Sequence, residues 1–328
     1  MNVSRKFPQS RLRRTRFTAS IRSLVAENSL SVDDLIQPIF VKEDLDGIES
    51  IDSLPGVNRH GLNALDEEIE KIQINKIKAV AVFPVINPNK KDDQGSESLN
   101  EENLVCTAIK QIKKNSELAV IADVALDPYT SHGHDGLIKS NKILNDETIE
   151  VLINQSLLQA EMGCDILAPS DMMDGRIGKI RKALDKSNYQ NVQILSYAAK
   201  YASSFYGPFR DAVGSKGSLK GDKKTYQMDF RNRDEALREV ALDIKEGADM
   251  VMVKPGMPYL DIIKSVKEKV KIPVFAYQVS GEYSLISNAI QKKLVNEDIV
   301  LESLMSLKRA GANAIVSYYA DRIDKILK

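Results

Sequence analysis

Short apolar runs alternate with amphipathic stretches along almost the whole chain. The runs lie at residues 36–41, 79–85, 119–125, 166–170, 193–199, 250–254, 273–279 and 314–319. Each is four to eight residues of mainly Val, Ile, Leu, Ala and Phe, the length and composition of a strand buried on both faces. Between them the apolar positions recur with helical spacing, which predicts helices at 65–77, 101–115, 146–162, 175–186, 233–246, 259–270 and 298–310. Asp146, with Ile149 and Glu150, begins one of these with acidic residues in its first turn, where the helix dipole favours them. Gly163, Gly247 and Gly311 follow three of them, in the place of a left-handed cap. Eight strands alternating with helices predict an α/β protein, a (β/α)8 TIM barrel, with a doubly wound open sheet as the structural alternative. No G-x-G-x-x-G follows the first strand, so a dinucleotide site has no support.

A barrel gathers its chemistry at the C-terminal ends of its strands. Those ends carry Asp123, Ser170 with Asp171, Lys200, Lys254, Ser280 and Tyr318. The run MVMV leads into Lys254 and is closed at once by Pro255 and Gly256. An amine at the edge of an apolar wall loses solvation, and its pKa falls. The bland alternative is a strand-end lysine that snorkels to water. Lys200 follows QILSYAA in the same way. Two such amines in one cavity depress each other's protonation and favour Schiff-base chemistry. The competing arrangement pairs each lysine with its own carboxylate.

Composition narrows the field. The chain has 328 residues, 43% of them hydrophobic, with 46 basic and 46 acidic side chains. A balanced charge gives no overall field for nucleic acid. Cys106 and Cys164 are the only cysteines, which excludes a disulfide framework or a Cys-rich zinc site and fits a reducing cytoplasm. No stretch has the length of a membrane span. The first 22 residues hold Arg5, Lys6, Arg11, Arg13, Arg14, Arg16 and Arg22 without an acid. That segment reads as a transit peptide, a nucleic-acid contact or, the favoured reading, an arm (1–30) that meets another subunit, ahead of a catalytic barrel at 31–328.

Residues 207–225, GPFRDAVGSKGSLKGDKKT, form a long stretch rich in Gly, Ser and Lys with few apolar anchors. Directly after the Lys200 strand it reads as a lid, made cationic by Arg210, Lys220, Lys223 and Lys224. At 123–136, DVALDPYTSHGHDG offers His132, His134, Asp127 and Asp135 as a candidate site for a hard metal such as Mg²⁺, or an ordinary polar loop.

Together these residues resemble the δ-aminolevulinic acid dehydratase, or porphobilinogen synthase, family. The resemblance is carried by RLRRTR, DLIQPIFV, FPVI, DVALDPYTSHGHDG, LAPSDMMDGR, SYAAKYASSFYGPFRDA, GDKKTYQMD, EGADMVMVKPGMPYLD, YQVSGEY and the final SYY, in that order over nearly the whole length. It implies a hydro-lyase that condenses two 5-aminolevulinate molecules to porphobilinogen with loss of two waters, a step of tetrapyrrole (heme, chlorophyll or cobalamin) biosynthesis. By the resemblance, Lys254 forms the Schiff base with the first substrate and Lys200 the second. Arg210 and Lys223 hold one substrate carboxylate, Ser280 and Tyr318 the other.

The resemblance also bears on metal and assembly. Zinc-type members carry three cysteines where this chain has Ala125, Asp127 and Asp135. A methyl and two carboxylates cannot keep a tight thiolate zinc site. The chain therefore looks zinc-independent, with Glu239 matching an Mg²⁺ ligand at a subunit interface, structural or allosteric in effect. Asp127 and Asp135 remain candidate active-site ligands. The family's homo-octamer, in which arms wrap neighbours, implies no nucleic-acid or membrane partner. Alternatives are another Schiff-base barrel lyase or aldolase, and an RNA- or membrane-surface-binding protein using the arm.

Overall fold

The computed structural model describes residues 6–214, 217, 219 and 221–323. Arg5 and Lys220, read above as part of the arm's and the lid's charge, lie outside them. Eight parallel strands close into a barrel. They are β1 (Leu35–Lys42), β2 (Ala79–Val85), β3 (Ala119–Val124), β4 (Ile166–Pro169), β5 (Gln193–Lys200), β6 (Met250–Lys254), β7 (Val274–Tyr277) and β8 (Ala314–Val316). Each pairs with the next, and β8 returns to β1 through Leu35 with Ile315 and Ile36 with Val316. All five residues of β6 are buried. Burying a valine or methionine side chain contributes about 1.5–3 kcal/mol, so an uninterrupted run commits the strand to the barrel wall.

The helices fall where the periodicity puts them, within a few residues. Leu65–Ile74, Leu104–Asn115, Asn145–Glu161, Arg176–Lys186, Asp234–Glu246, Leu260–Lys269 and Asp298–Ala310 connect the strands. Gly247 and Gly311 end two of them at φ of 112° and 117°, a region that a side chain disfavours. A further helix, Ser280–Gln291, follows β7, where the sequence reading had no element. The hairpin of Ile48–Ser50 and Asn58–His60 lies on the edge of β1 and was likewise not foreseen.

Two readings are corrected here. The stretch 207–225 is not all loop, because Gly207–Ala212 is helical. Pro208 stands at its first turn, where the missing N–H has no partner to lose. Nor is it short of apolar anchors, since Ala212 and Val213 are buried and Phe209 packs on the core. Ahead of the barrel, the turn Leu12–Arg16 and the helix Ala19–Leu24 are exposed along their whole length.

Candidate active site

Lys254 and Lys200 are register partners at the ends of β6 and β5. Both are buried, and both line two small adjoining cavities of about 40 and 30 Å³ at the C-terminal mouth. Asp123, Asp127, Ser170, Phe209, Arg210 and Lys223 line one or both of them. A far larger cavity, about 1080 Å³, is lined by residues that include His134, Tyr226 and Glu239 and by neither lysine. Chemistry rather than volume marks the smaller pair as the site.

The two amines differ. The Lys254 Nζ faces the rings of Tyr277, Tyr197, Phe209 and Tyr206, at 4.6, 5.0, 5.2 and 5.4 Å from their centroids. Burial first, then the charge of Lys200, bring its pKa down to about 7, against the pull of Asp123, Asp127 and Asp135. Lys200 donates to Asp135 Oδ1 at 3.2 Å and to the Ser170 carbonyl. One amine thus sits beside an acid, while the other, ringed by aromatics, has its pKa brought near neutrality. Of the two arrangements weighed from sequence, Lys200 has a carboxylate, but not a private one. Asp135 also contacts Lys223 at 2.6 Å and accepts from the Tyr226 hydroxyl at 2.9 Å.

Lys223 reaches in from the lid and bridges Asp135 and Asp127, the latter at 3.0 Å. Although burial opposes its charge, the two acids hold its pKa above the ordinary lysine value. Asp127 and Asp135 are therefore occupied by ammonium groups, a poor fit to a metal centre. Among the described residues no group of three or more His, Cys, Asp or Glu could hold a metal ion. Asp135 is held well below the usual carboxylate range by Lys200 and Lys223, which outweigh its burial. Asp123 moves the other way, up to about 6, pushed first by burial and then by Asp127.

Ser280 and Tyr318 stand one contact away from the amine. Ser280 Oγ accepts from the Phe209 backbone N–H at 2.8 Å, and the Tyr318 hydroxyl shares a 3.2 Å hydrogen bond with Tyr277. Phe209 and Tyr277 are two of the rings around Lys254. Asp171 turns away from the cavity. Its Oδ1 accepts from Met173 N at 2.7 Å and its Oδ2 lies 3.4 Å from Arg176 Nε. Glu239 is on the outer wall, in the large cavity with Glu235 and Asp174. Burial and the neighbouring Asp243 raise its pKa.

Two residues went unread. Tyr226 lies inside GDKKTYQMD, yet its hydroxyl joins Asp135 to His134 Nδ1, the latter at 3.0 Å. Arg59 secures the end of the lid helix. Its Nε donates to the Ala212 carbonyl at 2.7 Å and its Nη2 to that of Asp211 at 2.6 Å. Those partners are some 150 residues away in sequence, so no local signal points to them.

Fold and site define a (β/α)8 barrel with a lysine-centred pocket at its catalytic face. Comparison with known proteins makes this specific. The Delta-aminolevulinic acid dehydratase family matches residues 9–326. The Delta-aminolevulinic acid dehydratase of Bradyrhizobium diazoefficiens is 54% identical over 320 residues, spanning 97% of this chain and 91% of that protein. That of Methanothermus sociabilis is 50% identical over 318 residues, spanning 97% and 98%. The crystal structure of the Toxoplasma gondii enzyme, porphobilinogen synthase in complex with its reaction product porphobilinogen, superposes with a TM-score of 0.94 at 45% identity, covering 97% of this chain and 91% of that one. The chain belongs to the delta-aminolevulinic acid dehydratase family.

Proposed function

We propose that the protein makes porphobilinogen from two molecules of 5-aminolevulinate through imines on Lys254 and Lys200. The synthesis follows from family membership, and the lysine pair supplies a route. A neutral Lys254 Nζ adds to the ketone carbon of one substrate, and the carbinolamine loses water to give an imine. Lys200 does the same with the second substrate after releasing its proton to solvent, with Asp135 orienting the amine rather than taking the proton. Carbon–carbon and carbon–nitrogen bonds then join the two, the lysines are released, and the net loss is two waters. A closed lid excludes bulk water from the imines. Arg210 and Lys223 take one substrate carboxylate, and Ser280 and Tyr318 the other. For Ser280 this requires a shared or exchanged partner, because its hydroxyl now donates to the Phe205 carbonyl at 3.3 Å.

One observation carries the reading: two lysines in register at neighbouring strand ends, only one of them beside an acid. Borohydride added with 5-aminolevulinate tests it. A reduced adduct on Lys254, mapped by mass spectrometry, is expected. An adduct found only elsewhere overturns it.

The metal reading is that Mg²⁺ binds on the outer wall with Glu239 as ligand, and that no zinc is used. The support is chemical: Glu239, Glu235 and Asp174 bring carboxylates into one cavity, and an acid with a raised pKa gains from a nearby cation. Mg²⁺ there would supply charge compensation away from the reacting atoms. The reading includes a homo-octamer in which residues 1–30 grip a neighbour's barrel. The exposed Phe7, Leu12, Phe17 and Leu24 support that assembly. It also places the enzyme in the cytoplasm, consistent with the free cysteines Cys106 and Cys164. Among the described residues no helix is long and apolar enough to cross a membrane.

A further inference from the structure

The ladder between β6 and β7 ends at the pair Val253 and Ala276, one residue short of Lys254. Beyond that pair the two chains enter separate turns, with Gly256 still close on the Tyr277 backbone, where a Cβ would lie 3.0 Å from its carbonyl oxygen. The first carries Lys254 into Gly256 and Met257, the second carries Tyr277 into Ser280. A buried carboxylate spans the gap. Glu282 Oε2 accepts from Val279 N at 2.7 Å and from Gly256 N at 3.2 Å, and its Oε1 accepts from Met257 N at 2.5 Å. A capping box needs only the first of these contacts, within its own helix. The other two reach the turn that leaves the Lys254 strand. Gln278 adds a neighbouring tie, with its Nε2 3.6 Å from Met257 Sδ and its Oε1 2.7 Å from Ser317 Oγ.

We propose that Glu282 is a positioning residue for the condensation. Its carboxylate fixes the separation between the Lys254 amine and Ser280, and so between the imine carbon and the carboxylate of the same substrate. The proposal rests on the roles given above to Lys254 and Ser280. An ionised carboxylate suits the place because all three partners are donors and both of its oxygens then only accept. An amide of the same size would turn an NH₂ towards a backbone N–H. An aspartate would still reach its own helix cap and fall short of the facing turn.

Glu282→Asp and Glu282→Gln test this in the full-length enzyme. A misplacement of about 1 Å can cost on the order of 100-fold in rate. Both variants are expected to lose roughly that in kcat/KM, with a higher KM and slower borohydride trapping at Lys254. Values of kcat and KM within about twofold of wild type overturn the proposal. So does a loss that disappears when each variant is assayed well below its own Tm, since that is a stability effect alone. Hydrogen exchange on the unaltered enzyme needs no variant. The Gly256, Met257 and Val279 amides are expected to exchange slowly and together. Exchange of Gly256 and Met257 at the rate of open turns overturns the proposal. If wild type gives no Lys254 adduct, the Schiff-base reading fails instead. If the adduct forms and the variants are indifferent, only the role of Glu282 fails.

Discussion

Lys254 and Lys200 are matched residue for residue across β6 and β5, yet only Lys200 contacts a carboxylate. That asymmetry gives two otherwise similar amines different surroundings. Lys254, with its pKa near 7, loses its proton as pH rises through neutrality. The rate of borohydride trapping at Lys254 in a single turnover should therefore climb between about pH 6 and 8 and level above. Folding stability carries the same sign. The unfolded lysine holds its proton to about pH 10.4, so this group makes the protein more stable as pH rises from about 7 to 10. Lys254→Met should abolish the adduct and flatten the stability profile. Trapping that is independent of pH across this window would contradict the assignment.

Lys223 holds two acids apart by standing between them. Removing it leaves a half-buried Asp127 and a buried Asp135 without the ammonium they share, and Asp135 with Lys200. Breaking a buried pair costs about 3–5 kcal/mol, and here two pairs share one ammonium. Lys223→Met is expected to lower the Tm measurably and to raise KM for 5-aminolevulinate at least tenfold. A variant with native Tm and KM would remove Lys223 from the site.

Arg59 clasps the last carbonyls of the lid helix and is itself paired with Glu49. Arg59→Ala frees both carbonyls while leaving the strand pocket intact. The expected result is faster proteolysis within residues 207–225 and a several-fold rise in KM, with the Lys254 adduct still formed. Limited proteolysis with and without product is the direct measurement. Equal cleavage rates in wild type and variant would dismiss the clasp.

Metal dependence is read from titration with chelators. Zinc-selective chelation is expected to spare activity, and Glu239→Ala to abolish any stimulation by Mg²⁺ or to shift the oligomer distribution seen by sedimentation. Inhibition by a zinc chelator, reversed by added Zn²⁺, would overturn the metal assignment. An unchanged Mg²⁺ response in Glu239→Ala would remove that residue from it.

The barrel was legible because its strands are apolar on both faces, as in MVMV before Lys254, and because seven connecting helices keep their period. The strand-end lysines were legible for the same reason, since a charge ending an apolar run stands out. What stayed hidden depends on distance in sequence or on residues that read as breakers. Ser280 read as a strand end, but it opens a helix, and Gly281 packs so closely on the Phe205 backbone that a Cβ would lie 2.5 Å from its carbonyl oxygen. Gly207 and Pro208 begin a stretch read as a lid loop, yet they open a short helix. Arg59 and Ala212 meet only once the barrel has closed. Asp171 stands beside Ser170 in sequence, yet its backbone turns it to Arg176, an orientation that side-chain type does not reveal.

The four rings around Lys254 bear on what happens after the amine has reacted. A primary ammonium keeps its charge on one compact, thirstily hydrated nitrogen, and a dry aromatic chamber compensates that loss only in part. A protonated imine spreads the same charge over nitrogen and carbon and has less hydration to give up. The π faces attract both cations, worth about 0.5–2 kcal/mol per favourable ring contact, but only the ammonium gives up a large hydration to enter. In this chamber the covalent step itself eases the cost of carrying a positive charge.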